Sequence, residues 1–155
     1  RVGAIAKAHQ HIYRSDDVQT VDLGDYLRDI CRDLDAAAAG CAIHFAAPAG
    51  IAMSLDRAIP IALLLNELVT NAAKYAYPLG EGCEVWVAVE RREAAIALSV
   101  RDRGTGLPDG FDPKASRGLG MRIVNGFVQQ LSAALEIRRL DPGTEFRIAV
   151  PAAQG

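Results

Sequence analysis

NELVTNAAKY (residues 66–75), DRGTGLP (residues 102–108) and RGLGMRIVNGF (residues 117–127) are the three stretches that decide how this chain folds. Each is a weak signal alone. The first lies in a long apolar helical pattern with a few polar exceptions, and the other two are rich in glycine. Their order and separations predict a pocket between a long helix, a loop that follows a strand, and the start of a second helix.

The bulk composition is that of one compact domain. The chain has 155 residues, of which 50% are hydrophobic, enough for a proper core. A net charge of −2 gives no electrostatic case for a nucleic acid or an anionic membrane as partner. No apolar run approaches the roughly 18 to 20 residues of a membrane span, and no leader resembles a signal peptide. Because the sequence opens on Arg1, we expect a piece of a longer protein, and we expect that protein to be cytoplasmic.

The three cysteines are Cys31, Cys41 and Cys83. Their number is odd and no C-x-x-C spacing occurs, so we expect reduced, structural thiols.

Periodicity predicts an α+β fold: a two-layer α/β sandwich with a mixed, mostly antiparallel sheet covered on one face by about three helices. The expected elements are a strand at 18–21, a helix capped by Asp22 and ending near Ala38, strands at 41–46 and 51–54, a helix at 55–76 with Pro60 in its first turns, a hairpin of 83–90 and 95–102, a helix at 119–131, and a hairpin of 134–139 and 144–150.

A narrow polar stripe marks the long helix. Glu67, Asn71 and Lys74 recur at i, i+4 and i+7 and therefore share one face. Carboxylate and amide oxygens are Mg²⁺ ligands, and a lysine binds phosphate as a point charge. The alternative is that the stripe simply meets solvent, and the segment alone leaves both interpretations open.

Glycines dominate the other two motifs. Asp102 ends a predicted strand before Gly104 and Gly106, where a carboxylate can accept from an exocyclic amine while the glycines let backbone approach a flat ring. An ordinary Asp-Gly turn explains the same letters. Gly118 and Gly120 open a predicted helix whose first N–H groups suit an anionic phosphate, although glycine is common at helix starts. Residues 105–117 would then form a lid over the phosphates.

Together the three motifs resemble the ATP-binding domain of sensor histidine kinases, a fold shared with DNA gyrase, the Hsp90 chaperones and MutL. The resemblance spans residues 18–150 and implies the Bergerat ATP-binding fold, with ATP and Mg²⁺ bound. The wording of AIPIALLLNELVTNAAKYAYP (residues 58–78) is close to the second HisKA-type, HWE-related subfamily. Residues 1–17 look like the C-terminal end of its dimerisation and phosphoacceptor hairpin, which leaves 18–155 as the catalytic domain.

The resemblance assigns roles residue by residue. Asn71 matches the Mg²⁺ ligand, and Glu67, one turn earlier, matches the acidic residue that activates the acceptor histidine. Lys74, which the resemblance makes catalytic as well as phosphate-binding, is followed by Tyr75 on the nucleotide side. Asp102 matches the residue that reads adenine. The other expected nucleotide-binding positions are Gly104, Gly106 and Leu107 beside the base, Gly118, Leu119 and Gly120 at the phosphates, and Thr144 near adenine.

The resemblance also implies an activity and its partners. The domain would transfer the γ-phosphoryl of ATP to a histidine on its own dimerisation domain, and a response regulator would receive it next. The full-length protein would be a homodimer. None of His9, His11 and His44 is followed by the basic residue and asparagine of an acceptor, so we expect the acceptor upstream of this chain.

Two alternatives remain. A serine-kinase anti-sigma factor has the same fold, although residues 1–13 resemble a dimerisation helix. A nonenzymatic phosphotransfer scaffold is the other alternative, against which the intact Asn71, Asp102 and glycine positions argue.

Overall fold

The computed structural model describes residues 19–37, 40–78, 82–107, 110 and 119–152. Three helices and seven strands occupy these ranges. The helices are α1 (Leu23–Ala37), α2 (Leu55–Tyr75) and α3 (Leu119–Gln130). The strands are β1 (Thr20–Asp22), β2 (Cys41–Ala46), β3 (Ala52–Ser54), β4 (Cys83–Arg91), β5 (Ala95–Asp102), β6 (Ala134–Arg139) and β7 (Thr144–Pro151).

The main sheet has five strands in the order β2-β4-β5-β7-β6. Its pairings are antiparallel except for β2 and β4, which run parallel. The strands β1 and β3 form a separate two-stranded antiparallel sheet. The three helices pack on one face of the main sheet, so the predicted α+β architecture is confirmed, and β5 lies at its centre.

Helix α1 begins where Asp22 caps it. One carboxylate oxygen of Asp22 accepts from the backbone N–H of Asp25 at 3.0 Å, and the other accepts from Gly50 at 3.1 Å. The first bond satisfies a donor of the first helical turn, as the sequence predicted. The second ties the turn before β3 to the start of α1. The short strand expected at 18–21 is found at Thr20–Asp22.

Helix α2 is the centre of the core. Ile61, Leu64 and Leu65 are at most 1% exposed, and the burial of each contributes about 1.5–3 kcal/mol. Pro60 lies in the second turn of α2, where its ring nitrogen leaves the carbonyl of the preceding turn without an intrahelical donor. The apolar sides of β4, β5 and β7 pack beneath the helices.

The expectation of three reduced cysteines is wrong for two of them. Cys41 and Cys83 form a disulfide, because β2 and β4 pair in parallel with these two residues directly opposite and their Cα atoms 4.5 Å apart. The sequence separation of 42 residues hides this pairing from any local pattern. Cys31 is free and buried in α1, and desolvation raises the pKa of its thiol to about 12.

No helix within the described ranges has the length and apolar character needed to cross a bilayer.

Candidate nucleotide site

The polar stripe of α2 passes from the core to the surface. Glu67 is 6% exposed, Asn71 is half-buried and Lys74 is exposed in the last turn. The stripe therefore does not simply meet solvent at its first position. A charged group leaves water only where partners compensate it, and Glu67 has such an interaction within the fold. Tyr75, at the end of α2, is 75% exposed and is the large apolar side chain most open to solvent among the described residues.

Asn71 meets the third motif directly. A Cβ added at Gly120 would lie 2.8 Å from the Asn71 Nδ2 and 3.2 Å from its Oδ1. Any side chain at position 120 would therefore displace the amide. Glycine here lets the first turn of α3 approach the polar stripe of α2, so two of the three motifs share one cleft.

Asp102 ends β5 on the face of the sheet that carries the helices, and it is 6% exposed. Its Oδ1 accepts from the Gly104 N–H at 2.9 Å, and the backbone N–H of Thr144 also donates to the carboxylate. Desolvation by burial raises the pKa of Asp102, and the two N–H donors lower it by a smaller amount. Two carboxylate oxygens offer about four acceptor positions, so capacity remains for a further donor.

The bond to Gly104 is the ordinary turn interaction that the sequence left open. The second bond, from the buried Thr144 on β7, is not local. This bond fixes the orientation of the Asp102 carboxylate inside the fold. An ordinary Asp-Gly turn at the surface has no need of such a bond.

The second motif is clamped to the end of α2 through main chain. The Thr105 N–H donates to the Ala76 carbonyl at 2.7 Å. A Cβ added at Gly104 would lie only 1.9 Å from the same carbonyl oxygen. Tyr77 closes the clamp: its hydroxyl donates to the Glu84 carbonyl at 2.5 Å and accepts from the Arg103 N–H at 2.8 Å.

A further close approach fixes the other side of Asp102. Gly143 has φ +104, and a Cβ there would lie 2.1 Å from the Asp102 carbonyl oxygen. The turn between β6 and β7 therefore packs main chain against main chain, which positions Thr144. Gly106, with φ +81, also needs the freedom of glycine, and the next carbonyl, of Leu107, accepts from Arg139 at 2.8 Å.

The structure thus brings together Glu67, Asn71, Gly120, Asp102, Gly104 and Thr144 around the C-terminal half of α2. Gly118, the side chain of Leu119 and most of the expected lid lie outside the described residues, as do His9 and His11. His44 lies on β2, and its ring Nε2 is hydrogen-bonded to the Glu84 carboxylate at 2.8 Å.

Sequence reasoning missed the clamp. The Ala76 carbonyl and the Tyr77 hydroxyl belong to no motif. The local signal is that the two residues lie just before Pro78, where the helix ends.

The side chains present fit a magnesium ion that takes only part of its coordination shell from the protein and the rest from a bound phosphate ligand and water. Within the described ranges no group of three or more His, Cys, Asp or Glu side chains could hold a metal alone. Mg²⁺ characteristically takes one or two protein oxygens and completes its shell with phosphates and water. The amide oxygen of Asn71, next to the glycine start of α3, matches that mode of binding.

The sequence profile described as histidine kinase-, DNA gyrase B- and HSP90-like ATPase matches residues 56–154, which include the whole cleft. The chain belongs to this ATPase family. A second profile, described as histidine kinase (HisKA_2), matches residues 1–38 of the same ATPase chain. The predicted resemblance to sensor histidine kinases is confirmed, and the domain is of the histidine kinase ATPase type.

The named relatives of this ATPase domain include sensor histidine kinases and an anti-sigma factor. It is 30% identical over 156 residues to the sensor histidine kinase PdtaS of Mycobacterium tuberculosis, covering 97% of this chain and 31% of that protein. The solved histidine kinase domain of a blue-light-activated histidine kinase from Erythrobacter litoralis superposes with a TM-score of 0.85 at 26% identity, over 97% of this chain and 72% of that one. An anti-sigma F factor of Pasteuria penetrans is 33% identical over 89 residues, covering 50% of this chain and 59% of that protein. The chain therefore spans about a third of the length of PdtaS.

Proposed function

We propose that this domain binds Mg²⁺–ATP and transfers the γ-phosphoryl group to a histidine on a dimerisation domain, for two-component signalling in the cytoplasm. The observation that carries the proposal is the convergence of three sequence motifs on the C-terminal half of α2. Gly120 packs against Asn71, and Gly104 packs against Ala76 beside Asp102. A cleft with an amide oxygen at one end and a buried carboxylate at the other suits the two ends of a nucleotide.

Adenine would lie at the Asp102 end. The amino group of adenine donates to a carboxylate acceptor, and the two backbone N–H donors already fix that carboxylate. Guanine carries an oxygen where adenine carries the amino group, so it would leave a buried acceptor unpaired. Tyr75, exposed at the end of α2, would cover the nucleotide.

The phosphates would lie between α2 and the start of α3. Backbone N–H groups at a helix N-terminus favour anionic oxygen, and Gly120 permits close approach. Asn71 would hold Mg²⁺, which neutralises charge on the phosphates, and Lys74 would add a cation at the exposed end of the stripe. Gly118 and Leu119 remain predicted contacts.

Transfer would proceed in line. An imidazole nitrogen forms a bond to the γ-phosphorus while the bond from that phosphorus to the β–γ bridging oxygen breaks, and ADP leaves. Glu67, one helical turn before Asn71, would orient the imidazole and accept its proton. We propose that residues 1–17 end the hairpin that carries the acceptor, that the acceptor lies upstream, and that the full-length protein is a homodimer serving a response regulator. The HisKA_2 match to residues 1–38 supports this arrangement.

The test uses labelled ATP, this chain, and the upstream helices of its parent protein as a separate polypeptide. We expect acid-labile label on the supplied helices and none on this chain alone. Glu67→Gln should abolish transfer while ADP affinity is retained, and Glu136→Gln, an exposed glutamate on β6, is the matched control that leaves transfer intact. Acid-labile label on His9 or His11 of the isolated chain would refute the upstream acceptor.

A serine kinase acting on a protein is the second candidate, favoured by the similarity to the anti-sigma F factor over 89 residues. The stability of the product to acid decides between the two, because phosphoserine survives acid and phosphohistidine does not.

A further inference from the structure

The face of the main sheet that points away from the helices carries a groove that the nucleotide site does not use. Its floor consists of the small residues Ala46, Ala88 and Ser99, which lie on the adjacent strands β2, β4 and β5. One wall is formed by the row His44, Trp86 and Arg101, and Glu90 and Glu145 also line the groove. The groove has a volume of about 340 Å³, room for one or two side chains.

The wall is an aromatic and cationic cluster. The ring of His44 stacks on Trp86 with centroids 5.5 Å apart. The guanidinium carbon of Arg101 lies 4.8 Å from the Trp86 ring centroid, and that of Arg103 lies 4.7 Å from it. Two positive charges are therefore held near one half-buried indole, each through a cation–π contact.

The neighbouring carboxylates make their ion pairs with other cations, and this includes Glu145, which lies opposite Arg101 in the register of β5 and β7. On β4 and β7 the carboxylates of this face pair elsewhere: Glu84 with His44 at 2.8 Å, Glu90 with Arg92 at 2.8 Å and Arg147 at 3.6 Å, and Glu145 with Arg138 at 3.3 Å. Arg101 and Arg103 make no ion pair with any described residue. Arg101 and Arg103 are thus the two cations of this cluster that lack an ion-pair partner among the described residues.

We propose that this groove docks an acidic segment of a partner protein, with a carboxylate between Arg101 and Arg103 and a neighbouring aliphatic side chain on the Ala46–Ala88–Ser99 floor. Tryptophan and arginine are the side chains that most often dominate protein–protein binding energy. Two arginines without an ion-pair partner in the described ranges are too small a basic footprint for nucleic acid or a membrane, and the net charge of −2 gives no wider attraction to either.

Docking at this groove would also affect the loop that follows Asp102. Arg103 follows Asp102 directly, and its backbone N–H donates to the Tyr77 hydroxyl at 2.8 Å. A partner that pulls on the Arg103 guanidinium therefore acts on the loop that is clamped to the end of α2. The docking surface itself is independent of the kinase activity proposed above.

The probe is a fluorescently labelled peptide in which Glu alternates with Leu, titrated with the protein and followed by anisotropy. We expect saturable binding that weakens as salt is added, because exposed charges are screened. Arg101→Gln combined with Arg103→Gln should weaken binding about tenfold, equivalent to about 1.4 kcal/mol. The matched control is Arg32→Gln, an exposed arginine on α1, which should bind like the wild type. Thermal unfolding of each variant verifies the fold.

Charge reversal sharpens the test. A peptide in which Lys replaces every Glu should bind the Arg101→Glu, Arg103→Glu variant and not the wild type. Wild-type protein that fails to bind the Glu–Leu peptide up to about 1 mM, or that binds the Lys–Leu peptide equally well, overturns the proposal. So does binding of single-stranded RNA or phosphatidylserine vesicles through these arginines without binding of the acidic peptide.

Discussion

Gly104→Ala is the substitution that most directly tests whether the clamp between β5 and α2 builds the site. The added Cβ would lie 1.9 Å from the Ala76 carbonyl oxygen, and ordinary contact begins near 3.4 Å. The two segments must therefore separate by about 1.5 Å. That separation breaks the hydrogen bond from the Thr105 N–H to Ala76, now 2.7 Å, and the hydrogen bond from the Arg103 N–H to Tyr77, now 2.8 Å.

Two neutral hydrogen bonds at about 1 kcal/mol each mean that the clamped arrangement loses about 2 kcal/mol of stabilising free energy. Because the clamp positions Asp102 in the proposed nucleotide site, we expect ADP affinity to fall by the equivalent of that loss, about 30-fold at about 1.4 kcal/mol per factor of ten. Titration calorimetry with Mg²⁺–ADP measures the affinity, and urea unfolding measures the stability.

Gly126→Ala is the matched control for this experiment. Gly126 is exposed in α3, and a Cβ there would meet nothing within 4 Å. This variant should bind ADP normally and gain about 0.5–1 kcal/mol of stability from helix propensity. A Gly104→Ala protein that binds ADP within about threefold of the wild type would show that the clamp does not shape the site.

Three further outcomes are expected. Asp102→Asn should lose ADP affinity sharply by calorimetry, and a wild type that binds GDP as tightly as ADP would contradict the adenine assignment. Because burial raises the folded-state pKa of Asp102, the ionised carboxylate costs stability. The unfolding free energy of the wild type relative to Asp102→Asn should therefore rise as pH falls through that raised pKa, measured by urea titrations over a pH series, and a flat difference would contradict the shift. Reduction of the Cys41–Cys83 disulfide, which closes a separation of 42 residues, should cost about 2–4 kcal/mol in urea unfolding, and the Cys41→Ser, Cys83→Ser variant should show no response to reductant.

The sequence predicts those parts of the fold that local chemistry controls. Helix α2 has an unbroken apolar face, and in β4 every second residue from Val85 to Val89 is valine, so the predicted ends of both elements lie within one residue of the observed ends. The cap at Asp22 was visible for the same reason. Asp102 and Asn71 are predicted as site residues because Asp102 precedes Gly104 and Gly106, and because Asn71 is a polar residue in an apolar helix. Their roles stay predictions.

What the sequence could not predict depends on register between distant segments. Cys41 and Cys83 bond only because β2 runs parallel to β4 with those residues opposite, and a count of cysteines cannot reveal that. The Tyr77 bridge joins a residue after α2 to β4 and to the end of β5. Gly143 reads as a plain turn glycine until β6 and β7 bring it against Asp102.

The position of β5 has a consequence for how the molecule opens. It has paired neighbours on both sides, whereas β2 and β6 lie at the edges of the sheet. Its amide protons should therefore exchange with deuterium only on global unfolding, while those of the edge strands exchange through smaller openings. The proposed adenine acceptor, Asp102, thus ends the strand whose amide protons exchange most slowly. Because β5 is already protected, a bound nucleotide should slow exchange measurably only in the faster-exchanging segments next to it.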